Sequence, residues 1–325
     1  MPYHNYKIDS MGSASIEPKG SFEVGSWQEF KLIYKVGKFG IDDWGGIAIG
    51  LRPHFDGSKL QKNNPNQEGY ITVETSNKDP IEFEIETRRL IRPRMKSIFI
   101  RCLRFLKEND AIIVRLGDKR FGSPGIRMQT FCEKVFDFKV LVDPFATQDY
   151  IPLPDKKNPY ISIIPANGVH WKVIAPSLRR TNNYFRLSIK CEDKWGNPSN
   201  KINNELYLST DQKIKNLPNK VFFKIGEFTK IIDKLIVKEE CSFKIFLKNK
   251  KGKILAKSNQ ITIENSNYEH FWSDMHGQSK ETIGTNSAED YFEFAKNKSF
   301  LDICGHQGND FQITDDFWKE LNILT

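Results

Sequence analysis

Runs of two-residue alternation, each closed by a cluster of turn residues, leave the chain up to Asn267 little alternative to β-structure. Phe30, Leu32, Tyr34 and Val36 recur at every second position, as a strand with one buried face requires. The same period runs through Ile81-Glu82-Phe83-Glu84-Ile85 and along Phe136–Val142. Gly37–Gly40, Asp42–Gly46 and Gly122–Gly125 supply turns between the runs. No apolar stripe of helical period interrupts them, so residues 1–150 are read as a β-sandwich. Pro152–Pro159 is proline-rich and polar and suits a stiff linker or a crossing strand. Beyond it, Ser162–Ile164, Trp171–Ile174, Phe185–Lys190 and Ser242–Leu247 are short strands, with turns at Asp193–Pro198 and Asn249–Lys253. Residues 151–267 are therefore expected to form a second, immunoglobulin-like sandwich.

From Tyr268 onward the pattern changes. Tyr268–Met275 is a short apolar run, and Ser287 then caps a helix. Glu289 and Asp290 stand in its first turn, with Tyr291, Phe292, Phe294 and Ala295 as its buried stripe. Phe300–Cys304 reads as a second buried strand. Thr314 caps a second helix, with Asp315 and Asp316 in its first turn and Phe317, Trp318 and Leu321 on its face. Strand, helix, strand, helix with short connections is a parallel α/β pattern, predicted over residues 268–325. Charge marks the same boundary. From His270 to Thr325 ten acids oppose four lysines, a net of −6; the whole chain is +8, which leaves +14 on the residues before.

A mean hydropathy of −0.53 and the lack of any apolar run of about 18 residues exclude a spanning helix. No membrane partner is expected. The N-terminal residues carry no apolar signal segment, and five cysteines without a CxxC read as reduced thiols. Both features point to a cytoplasmic protein.

The residues with most chemistry are His276-Gly277-Gln278, just after one tail strand, and His306-Gln307-Gly308-Asn309-Asp310, just after the next. The C-terminal ends of neighbouring parallel strands are where α/β folds build sites. Asp274, His276, Gln278, His306 and Asp310 would converge there on divalent metal such as zinc, manganese or iron. The alternative is that His276 and His306 are structural histidines satisfied by hydrogen bonds.

Trp272-Ser273-Asp274-Met275-His276-Gly277-Gln278-Ser279 resembles the opening D-L-H-x-H-[ST] motif of the polymerase and histidinol phosphatase (PHP) superfamily. Leu301-Asp302-Ile303-Cys304-Gly305-His306 resembles its T-D-H strand. The stretch Trp272–Leu321 is more closely similar to a bacterial PHP-like family of unknown function in which β-sandwich segments precede a metal-binding barrel. Gly122–Gly125 and Asp143–Thr147 also resemble that family. The resemblance implies a β/α barrel holding one to three metal ions that activate water for phosphoester-like hydrolysis. On it, His276, Gln278 and His306 would be metal ligands, and Asp274 and Asp310 would orient a ligand or take a proton. Asn309 would bind an anionic small-molecule substrate. Gln278 stands where the superfamily has a second histidine and Gly305 where it has aspartate, with Glu281 a local candidate to compensate. The superfamily's remaining ligands would lie beyond Thr325, so the chain is expected to be a fragment, inactive alone.

Other features are weaker. Residues 88–107 hold eight bases and no acid: Arg88, Arg89, Arg92, Arg94, Lys96, Arg101, Arg104 and Lys107. Without an accompanying nucleic-acid motif this reads as a solvated strand face, and nucleic acid is set aside as a partner. Trp44, Trp171 and Trp195 could form a sugar-stacking platform, but aromatic residues at such positions are more often core. The expectation is thus a mainly β chain, two sandwiches followed by the first βαβα units of an incomplete PHP-like barrel. Its function would be metal-dependent hydrolysis. The competing reading is a non-catalytic binding or scaffold protein with a degenerate metal site.

Overall fold

The alternating runs become strands with one face buried and the other in solvent, and the chain is mainly β. The computed structural model describes residues 7–52, 54–87, 96–309 and 312–325. Contacts divide it into two units, Met1–Ile164 and Pro165–Thr325. Among the described residues no helix is long and apolar enough to cross a membrane.

In unit 1 the strands, in chain order, are β1 (Ser13–Glu17), β2 (Ser21–Glu23), β3 (Trp27–Gln28), β4 (Phe30–Lys35), β5 (Gly46–Leu51), β6 (Ile71–Thr75) and β7 (Ile81–Glu86). They continue as β8 (Lys96–Cys102), β9 (Ala111–Leu116), β10 (Ile126–Arg127), β11 (Glu133–Asp137), β12 (Lys139–Asp143), β13 (Ile151–Pro152) and β14 (Tyr160–Ile164). Two larger sheets run β1-β4-β9-β6 and β13-β12-β5-β8-β7. The first buries Leu32, Tyr34, Ile112 and Val114; the second buries Ile47, Ile49, Ile98, Ile100, Val140 and Val142. The apolar run 136–142 does not form one strand. At Phe138 it passes from β11, paired with β14, to β12, paired with β5. The stretch 151–164 hydrogen-bonds into this unit: β13 pairs with β12, and β14 lies between β11 and β2.

β7 is the terminal strand of the five-stranded sheet. Its pairing with β8 sets Ile81, Phe83 and Ile85 against Cys102, Ile100 and Ile98, and sets Glu82, Glu84 and Glu86 against Arg101, Phe99 and Ser97. The first set faces the interior. The second lies on the other side of the sheet, because successive side chains of a strand alternate, and there Glu82, Glu84 and Arg101 are exposed while Ser97 is buried.

Unit 2 opens with β15 (His170–Ile174), β16 (Leu178–Arg179), β17 (Phe185–Glu192), β18 (Asn204–Ser209) and β19 (Lys220–Phe223). β20 (Thr229–Leu235), β21 (Cys241–Phe243), β22 (Phe246–Lys248), β23 (Ile254–Lys257) and β24 (Ile261–Ile263) follow. Sheets β15-β17-β20, β16-β24-β21 and β19-β18-β22-β23 enclose a core that includes Leu187, Ile189, Leu206, Phe223, Leu247 and Ile261. The turn at 193–198 is built on Asp193, whose fully buried carboxylate accepts from the backbone N–H groups of Trp195 (2.8 Å), Asn197 (3.0 Å) and Ala166 (3.0 Å).

The tail of unit 2 has the order read from its sequence: β25 (Ser273–Gly277), α1 (Ala288–Phe294), β26 (Ile303–His306) and α2 (Asp315–Leu324). Ser287 and Asp290 form a reciprocal capping box, and Thr314 caps α2. β25 and β26 are parallel. Trp272 Nε1 donates to the Ala175 carbonyl (3.1 Å), and Arg186 pairs with Asp302 (2.9 Å), so the tail is part of the same unit as the sandwich before it. Two expectations fail here. The strand at 303–306 is not buried: Ile303 is 51% exposed and Met275 on its partner 62%. Of the expected stripes, Ala295, Phe317 and Leu321 are buried, with Ala288 beside them, while Trp318 and Phe294 stand in solvent. The described residues contain a two-stranded parallel sheet and no barrel, which corrects the PHP-like barrel.

Candidate functional site

The tail places His276, Gln278, His306 and Asn309 at or just past the C-terminal ends of β25 and β26, with Asp274 near the start of β25. The register pairs Gly277 with His306. Gly277 is required there, since a Cβ would lie 2.0 Å from the Tyr291 ring. The Tyr291 hydroxyl donates to the Gly305 carbonyl at 2.9 Å and closes α1 over the strand ends. Asp274 accepts from the backbone N–H of His276 (2.9 Å), and the His276 side chain is exposed. The Gln278 amide oxygen accepts from the Thr282 hydroxyl (3.0 Å), and the Asn309 amide donates to Gln312 (3.0 Å). Asp310 lies outside the described residues.

His306 is the most enclosed member. Its Nε2 is 2.9 Å from the Ser279 hydroxyl, and its ring meets Tyr291 and Phe317 edge to face. Burial lowers its pKa below the ordinary histidine range; the Glu281 carboxylate works the other way and is outweighed. Ser279 is fully buried, so the pair is not a nucleophile and base presented to a substrate. Of the expected ligands, His306 and Gln278 direct polar atoms at protein hydroxyls. Among the described residues no three His, Cys, Asp or Glu side chains are placed to hold a metal ion. With Asp310 outside the described residues, the described donors do not by themselves make up the expected zinc, manganese or iron site, and no catalytic step is derived through one.

The more open arrangement is in unit 1 and was not expected as a site. A cleft of about 740 Å³ runs over β7 and β8. Glu82, Glu84, Glu86, Phe99, Arg101, Asp149 and Tyr150 are among the residues that line it. Phe99 and Tyr150 meet edge to face at 5.5 Å. Lys62 closes the rim, donating to the Phe83 carbonyl (2.8 Å). A second pocket of about 630 Å³, built on Phe55, Asp56 and Lys96, shares Lys62 and Glu86 with the first. None of Glu82, Glu84 and Glu86 has an ion-pair or hydrogen-bond partner among the described residues. In the sequence these acids read only as the polar positions of an alternating strand, which does not tell a cleft from open surface.

The basic stretch divides. Arg88, Arg89, Arg92 and Arg94 lie outside the described residues. Arg101, Arg104 and Lys107 are exposed while Ile98 and Ile100 point inward, and Phe105 departs from the pattern at 46% exposed. Trp171 packs on the unit 2 core, but Trp44 (60% exposed) and Trp195 (40% exposed) do not. Both occupy turns, each with a basic side chain over its ring: Arg101 at 5.9 Å and Lys194 at 4.8 Å.

No family model and no curated protein matches the chain. Among solved structures it is similar to the D0-D1 domain of intimin, with 8% identity and a TM-score of 0.24 over 78% of this chain and 100% of that one. It is also similar to the Yersinia pseudotuberculosis adhesin InvE, with 8% identity and a TM-score of 0.23 over 78% and 59%. For CBD12 from CALX1.2 the values are 12% and 0.22 over 72% and 79%. Likenesses at this level carry no inference about function. No family model, that of the PHP-like family included, matches the chain. The PHP resemblance, with the hydrolase and metal-binding character it implied, is withdrawn.

Proposed function

We propose that this chain is a non-catalytic binding or scaffold protein whose unit 1 sandwich presents the ligand site. The observation that carries this reading is the cleft over β7 and β8, where Glu82, Glu84 and Glu86 stand beside the Phe99–Tyr150 ring pair. A sheet holds such side chains at fixed spacing, so they are organised before a ligand arrives and little ordering cost remains. The tail supports the reading in a different way. At its strand ends His306 Nε2, the Gln278 amide oxygen and the Asn309 amide nitrogen are engaged by Ser279, Thr282 and Gln312, which makes these atoms parts of the fold.

Equilibrium dialysis of the whole chain against a defined mixture of short peptides and oligosaccharides tests the proposal, with mass spectrometry on both compartments. Retention of at least one compound, unchanged in mass and lost in a Phe99→Ala/Tyr150→Ala variant, is the expected result. Recovery of a cleaved compound in proportion to protein concentration, or equal retention by the variant, would overturn it.

A further inference from the structure

The positive charge of the chain is concentrated in the unit 2 sandwich. Residues 165–267 hold twenty bases against nine acids, a net of +11 in a chain of +8. Sheet β19-β18-β22-β23 turns Leu206, Leu208, Phe223 and Leu247 into the core. Alternation puts the intervening residues on its other face, and the register aligns them across the strands. Lys220, Tyr207, Lys248 and Ile254 form one row, Ser209, Phe246 and Lys257 another, and Phe222 stands beside Glu205. Three rings are thus interleaved with three lysines on a face that the core does not use. Phe222 is 47% exposed, and Tyr207 and Phe246 are half-buried. Among the described residues no other ring and no cation packs on any of the three. The hairpin joining β22 to β23 adds charge at one end. Asn249 Oδ1 accepts from the backbone N–H groups of Lys251 and Lys253 (both 3.0 Å), a turn that leaves Lys250, Lys251 and Lys253 exposed. Glu205 is the one acid in the four strands, and Lys220 pairs with it at 2.7 Å. The ammonium groups of Lys248, Lys251, Lys253 and Lys257 have no ion-pair partner among the described residues.

We propose that this face binds single-stranded nucleic acid, with backbone phosphates on the lysines and unpaired bases stacked on Phe222, Tyr207 and Phe246. Phosphates meet the uncompensated ammonium groups and release their counterions, and every base has a face that can stack on a ring. A duplex keeps its bases in its own stack and has none to offer the rings. A sulfated polysaccharide matches the charge but not the aromatic surface. The competing explanation is that lysines on terminal strands discourage edge-to-edge association. That role accounts for Lys220 on β19 and Lys257 on β23. It leaves Tyr207, Phe246 and Lys248 unexplained, because these stand on the two inner strands. The face belongs to unit 2 and owes nothing to the cleft over β7 and β8. The basic stretch at 88–107, for which nucleic acid was set aside, belongs to unit 1 and takes no part.

The test is fluorescence anisotropy of a labelled oligothymidylate titrated with the full chain at low ionic strength. Binding that weakens with added salt is expected. The Lys248→Gln/Lys250→Gln/Lys251→Gln/Lys253→Gln variant should bind at least about tenfold more weakly and with a flatter salt dependence. Phe222→Ala should weaken binding at least about fivefold and leave the salt dependence in place. Both variants change exposed or hairpin positions, and unchanged melting curves confirm that their folds are intact. Unlabelled oligothymidylate should displace the probe more readily than a duplex of the same length or a sulfated oligosaccharide. No binding of the oligothymidylate, equal affinity of either variant, or equally ready displacement by the duplex or the sulfated oligosaccharide overturns the proposal.

Discussion

At the scale of single residues, Asp118 shows how one side chain can secure a loop. Its fully buried carboxylate accepts from the Thr72 hydroxyl (2.6 Å), from the Arg120 guanidinium (2.7 Å) and from the Arg120 backbone N–H (3.1 Å). Burial alone would raise its pKa, but these donors outweigh it and hold the carboxyl at about 2 instead of 3.8. The difference contributes about 2 kcal/mol of stability above pH 3.8, lost as the pH falls toward 2. Asp118→Asn is expected to cost about that much in urea unfolding at neutral pH and much less near pH 2. His306 has the opposite acid chemistry. Its folded pKa is lowered, so the unfolded chain takes up the proton first, and stability falls as the pH drops below the ordinary histidine value of 6.5. His306→Gln should flatten that part of the stability profile of unit 2; an unchanged profile would show that burial of the ring is not its cause.

At the scale of elements, caps were the most readable feature, because they depend on neighbours within one turn. Ser287 with Asp290, and Thr314 ahead of Asp315 and Asp316, perform the roles their types and spacing implied. Ser287→Ala is expected to cost about 1 kcal/mol, measured by thermal unfolding. Alternation identified strands such as Phe30–Lys35 and Ile81–Glu86, but it did not say which sheet receives a strand. The run 136–142 changes sheets at Phe138 because distant strands β14 and β5 compete for it. Burial in the tail was misread for a similar reason. Met275 and Ile303 are apolar, but α1 and α2 do not cover them. The Gly277 position makes a sharper test of packing. Gly277→Ala would drive a Cβ into the Tyr291 ring and is expected to destabilise the tail by about 1–3 kcal/mol, seen as faster hydrogen exchange across 273–306. Unchanged exchange would mean that Tyr291 does not close over the strand.

At the scale of the molecule, the sequence showed a mainly β chain ending in an α/β segment, and this is the architecture found. The functional reading did not transfer. An eight-residue motif around His276 suggested a metal centre, but whether such residues act as ligands depends on what else reaches them. Thr282 engages Gln278, Ser279 engages His306, and Gln312 engages Asn309, contacts that no motif encodes. The cleft was hidden for the converse reason. Glu82, Glu84 and Glu86 look like ordinary solvent-facing strand residues until β8 and Tyr150 are brought beside them. The central claim is that ligand binds over β7 and β8. Hydrogen exchange of the whole chain, with and without a saturating amount of the compound retained in the dialysis experiment, tests it most directly. Protection across residues 81–86 and 97–102, with no change across 273–279 and 303–309, is the expected result. Protection at the tail strand ends with none over β7 and β8 would contradict it.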